Sequence, residues 1–277
     1  MVTCLRHTST LACKRSRLKI FTTRRSQNEG PDKFETWPLE VPETFRSDLM
    51  EIRECETVDD VAVAGADFIF HRATEAIAER NQFTLALSGG STPWRMLGKL
   101  AGYELPWRQV RIFQVDERVA PDGDPQRNLV HIEKEFADRI GLPPENLHAM
   151  PVDSADLDVG ARCYQVCLNQ SAGEPPVLDV IHLGLGADGH TASLVPEDPG
   201  LQVTDRDFAI TGTYDGRQRM TLTYPLINRA RHLLWLITGE GKSAMLSRML
   251  QADYEIPAGR VNQMHAVVVA DTAALSG

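Results

Sequence analysis

The chain has no run of about 18 consecutive apolar residues, so it offers no helix able to cross a membrane. It has no C-x-x-C pair either. Its five cysteines (Cys4, Cys13, Cys55, Cys163 and Cys167) are odd in number and widely spread, which gives no disulfide framework and makes a reducing cytosol the expected compartment. Cys163 and Cys167 lie four apart in an expected helix, a spacing open to plain packing or to a metal or redox role. Aromatic residues make up only 6% of the 277 positions, while 20 glycines and 16 prolines are ordinary numbers. With 42% hydrophobic residues, this composition excludes collagen-like, low-complexity and largely disordered classes. No repeat of 20–50 residues is visible.

Acid is missing from residues 1–28, which carry seven Lys or Arg. Of 29 basic residues, 22 therefore remain in the rest of the chain against 38 acidic ones. So acidic a body argues against nonspecific nucleic-acid binding, and an anionic ligand must be held by a few local cations and backbone N–H groups. The basic, Ser/Thr-rich leader has the composition of a transit peptide. A disordered basic arm and, ahead of both, upstream sequence outside the functional protein are the competing readings. Residues 1–50 are expected to lie outside the core fold as leader and linker, with residues 51–277 forming one domain.

From residue 57 onward, helix-like and strand-like stretches alternate. Residues 57–80 read as a helix, 83–87 as an apolar strand, and a helix opens near Pro93. Residues 110–115 are a second strand, and Leu129, Ile132, Phe136 and Ile140 keep helical spacing. Further strands are expected at 179–183, 208–211, 220–224, 233–238 and 266–270, with a helix from Lys242. Such alternation implies βαβ units: an α/β fold whose open, mostly parallel sheet is covered by helices on both faces. Ligands of these sheets bind beyond the carboxyl ends of the strands.

Several stretches placed at strand ends could carry chemistry. In Ser88-Gly89-Gly90-Ser91-Thr92-Pro93, two glycines permit a tight turn, two hydroxyls are on offer, and Pro93 suits a helix start. This could be an anion site or an ordinary N-cap. Asp116-Glu117-Arg118 could position hydroxyls or a phosphate, or be a solvated charge cluster. In Gly184-Leu185-Gly186-Ala187-Asp188-Gly189-His190, a carboxylate two residues from an imidazole could fix its tautomer and leave the second nitrogen as a base. Arg217, Arg219 and Lys242 are natural phosphate partners in an acidic body.

Other chemistries lack their signatures. Gly241-Lys242-Ser243 mimics the end of a nucleotide-binding P-loop, but Leu236 stands where the required glycine would be. No H-x-x-x-H pair and no G-x-S-x-G elbow occur, so neither a metal nor a serine nucleophile is expected. A strand-buried His182 should face the core.

Taken in order, SGGSTP, VDERVAP, GLGADGHTASLVP, RMTLTYPLIN, TGEGKSAML and EIPAGRV resemble the 6-phosphogluconolactonase family, over residues 57–272. The resemblance implies hydrolysis of 6-phospho-D-glucono-1,5-lactone in the oxidative pentose phosphate pathway, without cofactor or metal. It matches the catalytic histidine to His190 and its orienting aspartate to Asp188. It matches Gly89, Gly90, Ser91, Thr92, Arg118, Arg219 and Lys242 to the phosphorylated substrate's surroundings, and Asp116 stands in the same DER stretch. The expected partner is a small sugar-phosphate lactone, with neither nucleic acid nor membrane, and the chain is expected to act as a monomer or weak homodimer in the cytoplasm.

Two departures stand out: Val195 replaces the family's usual phenylalanine, and Arg127 precedes Asn128 where serine is common. The related glucosamine-6-phosphate deaminases carry a glutamate five residues after the matched histidine. Here that position is again Val195, which disfavours the deaminase. A sugar-phosphate sensor is the non-catalytic alternative, distinguished by binding without turnover.

Overall fold

The computed structural model describes residues 14–17, as backbone, and 50–276. The readings made for residues 1–13 and 18–49, including Cys4 and Cys13, lie outside the described residues. The strands in chain order are β1 (Lys14–Arg17), β2 (Glu51–Cys55), β3 (Phe83–Leu87), β4 (Val110–Gln114), β5 (Asp116–Arg118), β6 (Leu147–His148), β7 (Val180–Leu183), β8 (Phe208–Ile210), β9 (Arg219–Leu222), β10 (His232–Ile237) and β11 (Ala266–Asp271). The α-helices are α1 (Val58–Arg80), α2 (Ser91–Leu100), α3 (Asn128–Ile132), α4 (Asp138–Ile140), α5 (Leu157–Ala172), α6 (Tyr224–Ile227), α7 (Ser243–Leu250) and α8 (Thr272–Leu275).

The main sheet runs β1-β2-β11-β10-β7-β3-β4-β6. All neighbours from β2 to β6 pair in parallel, and β1 lies antiparallel along β2. From β3 the chain builds outward through β4 to β6, and from β7 it builds the other way through β10 to β11. The order therefore reverses between β3 and β7, the kind of switch point beside which ligands of such sheets bind. Ser88, just past β3, ties the start of its loop to strand β7. Its hydroxyl donates to the His182 carbonyl oxygen at 3.0 Å, and its N–H donates to His182 Nδ1 at 3.3 Å.

Both faces of this sheet are covered. Along β10, Leu234 and Leu236 pack with α1 and α2 residues, while Leu233, Trp235 and Ile237 enter the second core with Tyr164, Leu168, Leu246 and Met249. Two-sided burial is why these strands are continuous apolar runs. Each fully buried valine of β11, such as Val268 and Val269, contributes about 1.5–3 kcal/mol. Helix α1 starts at a capping box in which Thr57 and Asp60 exchange hydrogen bonds at 3.1 Å. Gly65 lets it sit close to the sheet, since a Cβ there would come within 2.9 Å of Leu236.

The main sheet is mostly parallel, as expected, and antiparallel pairing is not confined to β1. Strands β5, β9 and β8 form a separate antiparallel sheet. Val115 joins the two sheets, its N–H donating to Leu87 of β3 at 2.9 Å and its carbonyl accepting from Leu222 of β9 at 2.8 Å. Arg219 consequently reaches the site from the start of a strand, not from beyond its end. The helix expected across 126–140 begins at Asn128 and widens into a π turn over Glu133–Ala137. Cys163 and Cys167 lie on α5, exposed and half-buried respectively.

Candidate active site

The loop leaving β7 folds back tightly on itself. Gly186 N–H donates to the His190 carbonyl at 2.8 Å, and Gly189, at φ +85°, adopts a conformation that disfavours side chains. Ala258 N–H donates to the Gly189 carbonyl at 2.9 Å, which anchors the turn from outside. Gly186 is required for another reason: a Cβ there would stand 2.2 Å from His190 Nδ1 and 2.6 Å from Asp188 Oδ1. In the space so left, Asp188 Oδ1 accepts from the His190 backbone N–H at 3.1 Å and from its Nδ1 at 2.6 Å.

Partial burial works to raise the Asp188 carboxyl. The backbone and imidazole of His190 outweigh it and hold the group below the ordinary carboxylate range. An ionised Asp188 assigns the imidazole proton to Nδ1 and leaves the Nε2 lone pair open. His190 remains 27% exposed, so water can reach that nitrogen. The second carboxylate oxygen, Oδ2, faces the Tyr214 hydroxyl at 3.4 Å.

Arg219 and Arg118 are register partners on β9 and β5. Arg118 donates to the Gln126 carbonyl at 2.9 Å and to Asn128 Oδ1 at 3.2 Å. Arg219 is only 6% exposed, yet its guanidinium has no ion-pair partner among the described residues and its Nε no hydrogen bond. Burial first, and then the like charge of Arg118, hold its pKa below the ordinary arginine value, against smaller opposing pulls from Asp116 and Asp215. Its one close neighbour of note is the Tyr214 ring, 4.8 Å from the guanidinium carbon.

A buried carboxylate organises these cations. Glu117, fully buried, accepts backbone N–H bonds from Arg118, Asn128 and Leu129 at 2.8 Å each, and an amide N–H from Gln114 at 2.8 Å. Arg127 lies beside it, Nε to Oε2 3.6 Å, and also reaches Asp122 at 3.3 Å. The unexpected arginine at 127 thus neutralises Glu117 in the interior. Asp116 accepts from the Ser193 hydroxyl at 2.6 Å, bracing the segment after His190.

The two-glycine turn meets the same cluster. A Cβ on Gly89 would fall 2.0 Å from Asn128 Oδ1. Gly90, at φ +130°, caps α2 without a side-chain bond, leaving first-turn N–H groups unsatisfied by any cap. Ser91 is exposed, whereas the Thr92 hydroxyl is shared with Thr238 at 2.9 Å. Lys242 shares no hydrogen bond or ion pair with these residues. Its half-buried turn is tied to the two-glycine turn through the Thr92–Thr238 hydroxyl pair, and the Gly239 N–H donates to Asp271 at 2.9 Å. Arg217 is turned away, paired with Asp124 at 3.0 Å.

A cleft of about 350 Å³ opens over Gly90, Arg118 and Asn128, with Trp94, His131 and Asp215 on its walls. His190 does not line it. The connection runs through Tyr214, whose ring lies 5.6 Å from the His190 ring and under Arg219. Tyr214 and Asp215 were not singled out from the sequence, whereas Glu117 was read only within the Asp116-Glu117-Arg118 stretch and Asn128 only as the neighbour of Arg127. Asp215-Gly216 between two strands was the available signal for the hairpin that carries the first two.

Residues 56–270 match the family described as glucosamine-6-phosphate isomerases/6-phosphogluconolactonase. The chain belongs to this family. Over 182 residues it is 42% identical to the 6-phosphogluconolactonase of Synechocystis sp., covering 64% of this chain and 75% of that one. The family fold recurs in the 6-phosphogluconolactonase structure from Trypanosoma brucei, at a TM-score of 0.74 and 25% identity, covering 83% of this chain and 99% of that one. A monomeric glucosamine-6-phosphate deaminase also superposes, at a TM-score of 0.71 and 18% identity over 81% of this chain and 98% of that one, a likeness of fold alone. Among the described residues of this family member, no helix is long and apolar enough to cross a membrane.

Proposed function

We propose that the chain hydrolyses 6-phospho-D-glucono-1,5-lactone to 6-phospho-D-gluconate. The observation that carries this reading is the unpaired, buried Arg219 beside Arg118, joined through one tyrosine ring to an imidazole whose Nε2 is open. Two adjacent cations with no ion-pair partner among the described residues call for an anionic ligand, and a phosphoryl group offers a guanidinium bidentate acceptors. The α2 N-terminus at Gly90 and Ser91 adds N–H donors, and Lys242 a longer-range positive charge.

With the phosphate so held, the C1 carbonyl lies toward His190. Neutral His190 takes a proton from water at Nε2 as the water oxygen attacks C1, and Asp188 stabilises the imidazolium that forms. The tetrahedral intermediate collapses by breaking the bond from C1 to the ring oxygen, which receives the proton back from His190. General-base assistance of this type is worth about 10²–10⁴-fold. The substrate is a small molecule and the proposed working unit a monomer or weak homodimer in the cytoplasm.

The test is turnover of freshly made lactone by the wild type and by His190→Ala, with spontaneous hydrolysis subtracted and glucosamine 6-phosphate as the control substrate. The reading expects lactone turnover that collapses in the variant while phosphate affinity is kept. Release of ammonia from glucosamine 6-phosphate would establish the deaminase instead, and binding without turnover a sensor. Val195, buried where the deaminases carry glutamate, supports the lactonase.

A further inference from the structure

The segment between β8 and β9 turns through Asp215 at φ +53° and Gly216 at φ +77°, the left-handed pair of a type I′ hairpin. Tyr214 and Arg217 close it with reciprocal backbone bonds of 3.0 and 3.3 Å. Arg217 pins its far side to Asp124 at 3.0 Å. The hairpin is therefore fixed at both strands and at its flank, and it delivers the Tyr214 side chain between the two halves of the site.

Three contacts meet on that side chain. Its hydroxyl lies 3.4 Å from Asp188 Oδ2, the oxygen that His190 does not use. Its ring stands edge-on to His190, at 5.6 Å and 68° between planes. Its face lies 4.8 Å from the Arg219 guanidinium carbon. Burial, followed by the Asp188 carboxylate, raises the Tyr214 phenol, so the hydroxyl stays protonated as a donor at neutral pH.

We propose that Tyr214 is a positioning residue that sets the Asp188 carboxylate and the Arg219 guanidinium with one rigid ring. The hydroxyl holds the carboxylate plane so that Oδ1 stays on the imidazole, and the face holds the guanidinium where the phosphoryl group docks. Neither role requires the tyrosine to touch substrate. This proposal rests on the lactonase reading for its kinetic consequences, but not for the state of the His190 ring.

Tyr214→Phe keeps the ring and deletes the hydroxyl, and Tyr214→Leu deletes both. In Tyr214→Phe, kcat is expected to fall about 3–10-fold with KM unchanged, the span of one lost hydrogen bond. Tyr214→Leu should add a rise in KM of about 3–10-fold from the lost contact with Arg219. In the substrate-free protein, the ring-nitrogen NMR shifts of His190 should change in Tyr214→Phe and remain at wild-type values in Thr213→Ser, a neighbouring control. Unchanged ring-nitrogen shifts with wild-type kinetics in Tyr214→Phe would overturn the proposal, as would equal KM values in the two tyrosine variants. A wild type that changes its ring-nitrogen shifts on Tyr214→Phe substitution, yet never turns over lactone, refutes the lactonase reading and supports the positioning role.

Discussion

Replacing Arg219 by methionine removes a cation from the interior while keeping most of the side chain's bulk, and the direction of the stability change is diagnostic. In the absence of ligand, Arg219 is 6% exposed, its Nε has no partner, and the like charge of Arg118 is close enough to depress its pKa. An unsatisfied buried donor costs about 1–3 kcal/mol. Against this stands the contact with the Tyr214 ring, worth about 0.5–2 kcal/mol. The backbone N–H of Arg219 keeps its bond to the Thr211 hydroxyl at 3.1 Å and is untouched. The net expectation is that Arg219→Met is more stable than the wild type by about 1 kcal/mol, a rise of roughly 2–4 °C in Tm for a domain of this size.

Phosphate should reverse the order. A ligand present at 100 times its Kd stabilises by about 2.7 kcal/mol, or roughly 5–10 °C. Thermal melts of both proteins, in buffer matched for ionic strength with and without inorganic phosphate, make the comparison. The wild type should gain in phosphate and the variant should not. If Arg219→Met melts lower without phosphate and both proteins respond equally to it, the guanidinium is a structural group and not an unpaired anion receptor.

Three further outcomes follow from distances already given. Gly186→Ala drives a methyl group into the bond between His190 and Asp188, so kcat should drop at least tenfold, with circular dichroism spectra showing the fold retained. Glu117→Gln leaves Arg127 without its interior partner and should cost about 3 kcal/mol in urea unfolding, a loss far larger than a surface carboxylate would show. His182 is fully buried, and burial pulls its pKa down to about 3 from an unfolded value near 6.5. The folded state therefore binds fewer protons, and the stability present above pH 6.5 is lost as pH falls below it, by about 2 kcal/mol at pH 5. His182→Asn keeps an acceptor for the Ser88 N–H, so the difference in urea midpoints between pH 7.5 and 5 should shrink in the variant; an equal difference would contradict the assignment.

The central strands were legible because burial on both faces leaves no room for alternation. β3, β7, β10 and β11 are short apolar runs ended by serine, glycine, threonine and aspartate in turn, and they were placed within a residue or two. The small sheet was not legible as a sheet. β5 is three residues long, two of them carboxylates, and reads as a charged loop because its polar side chains are satisfied by Asn128, Ser193 and backbone N–H groups far away in sequence. β2 went unread for a similar reason, being a half-polar strand near the sheet edge. At the site, His190 and Asp188 could be paired from sequence because they interact across one glycine. Tyr214 meets them across 24 or more residues and through a different sheet, a relation that local pattern does not encode. Lys242 was grouped with the arginines by charge, and among the described residues it shares no hydrogen bond or ion pair with them.

Because Val115 is where the chain steps from one sheet to the other, the two halves of the site hang from separate frameworks. The imidazole belongs to the parallel layer, and both guanidinium groups ride on a three-stranded sheet joined to it through Val115 and braced by the Ser193–Asp116 and Gln114–Glu117 hydrogen bonds. Because the hairpin that carries Tyr214 is the tip of that small sheet, trimming or lengthening it would disturb the Arg219 guanidinium and the Asp188 carboxylate together.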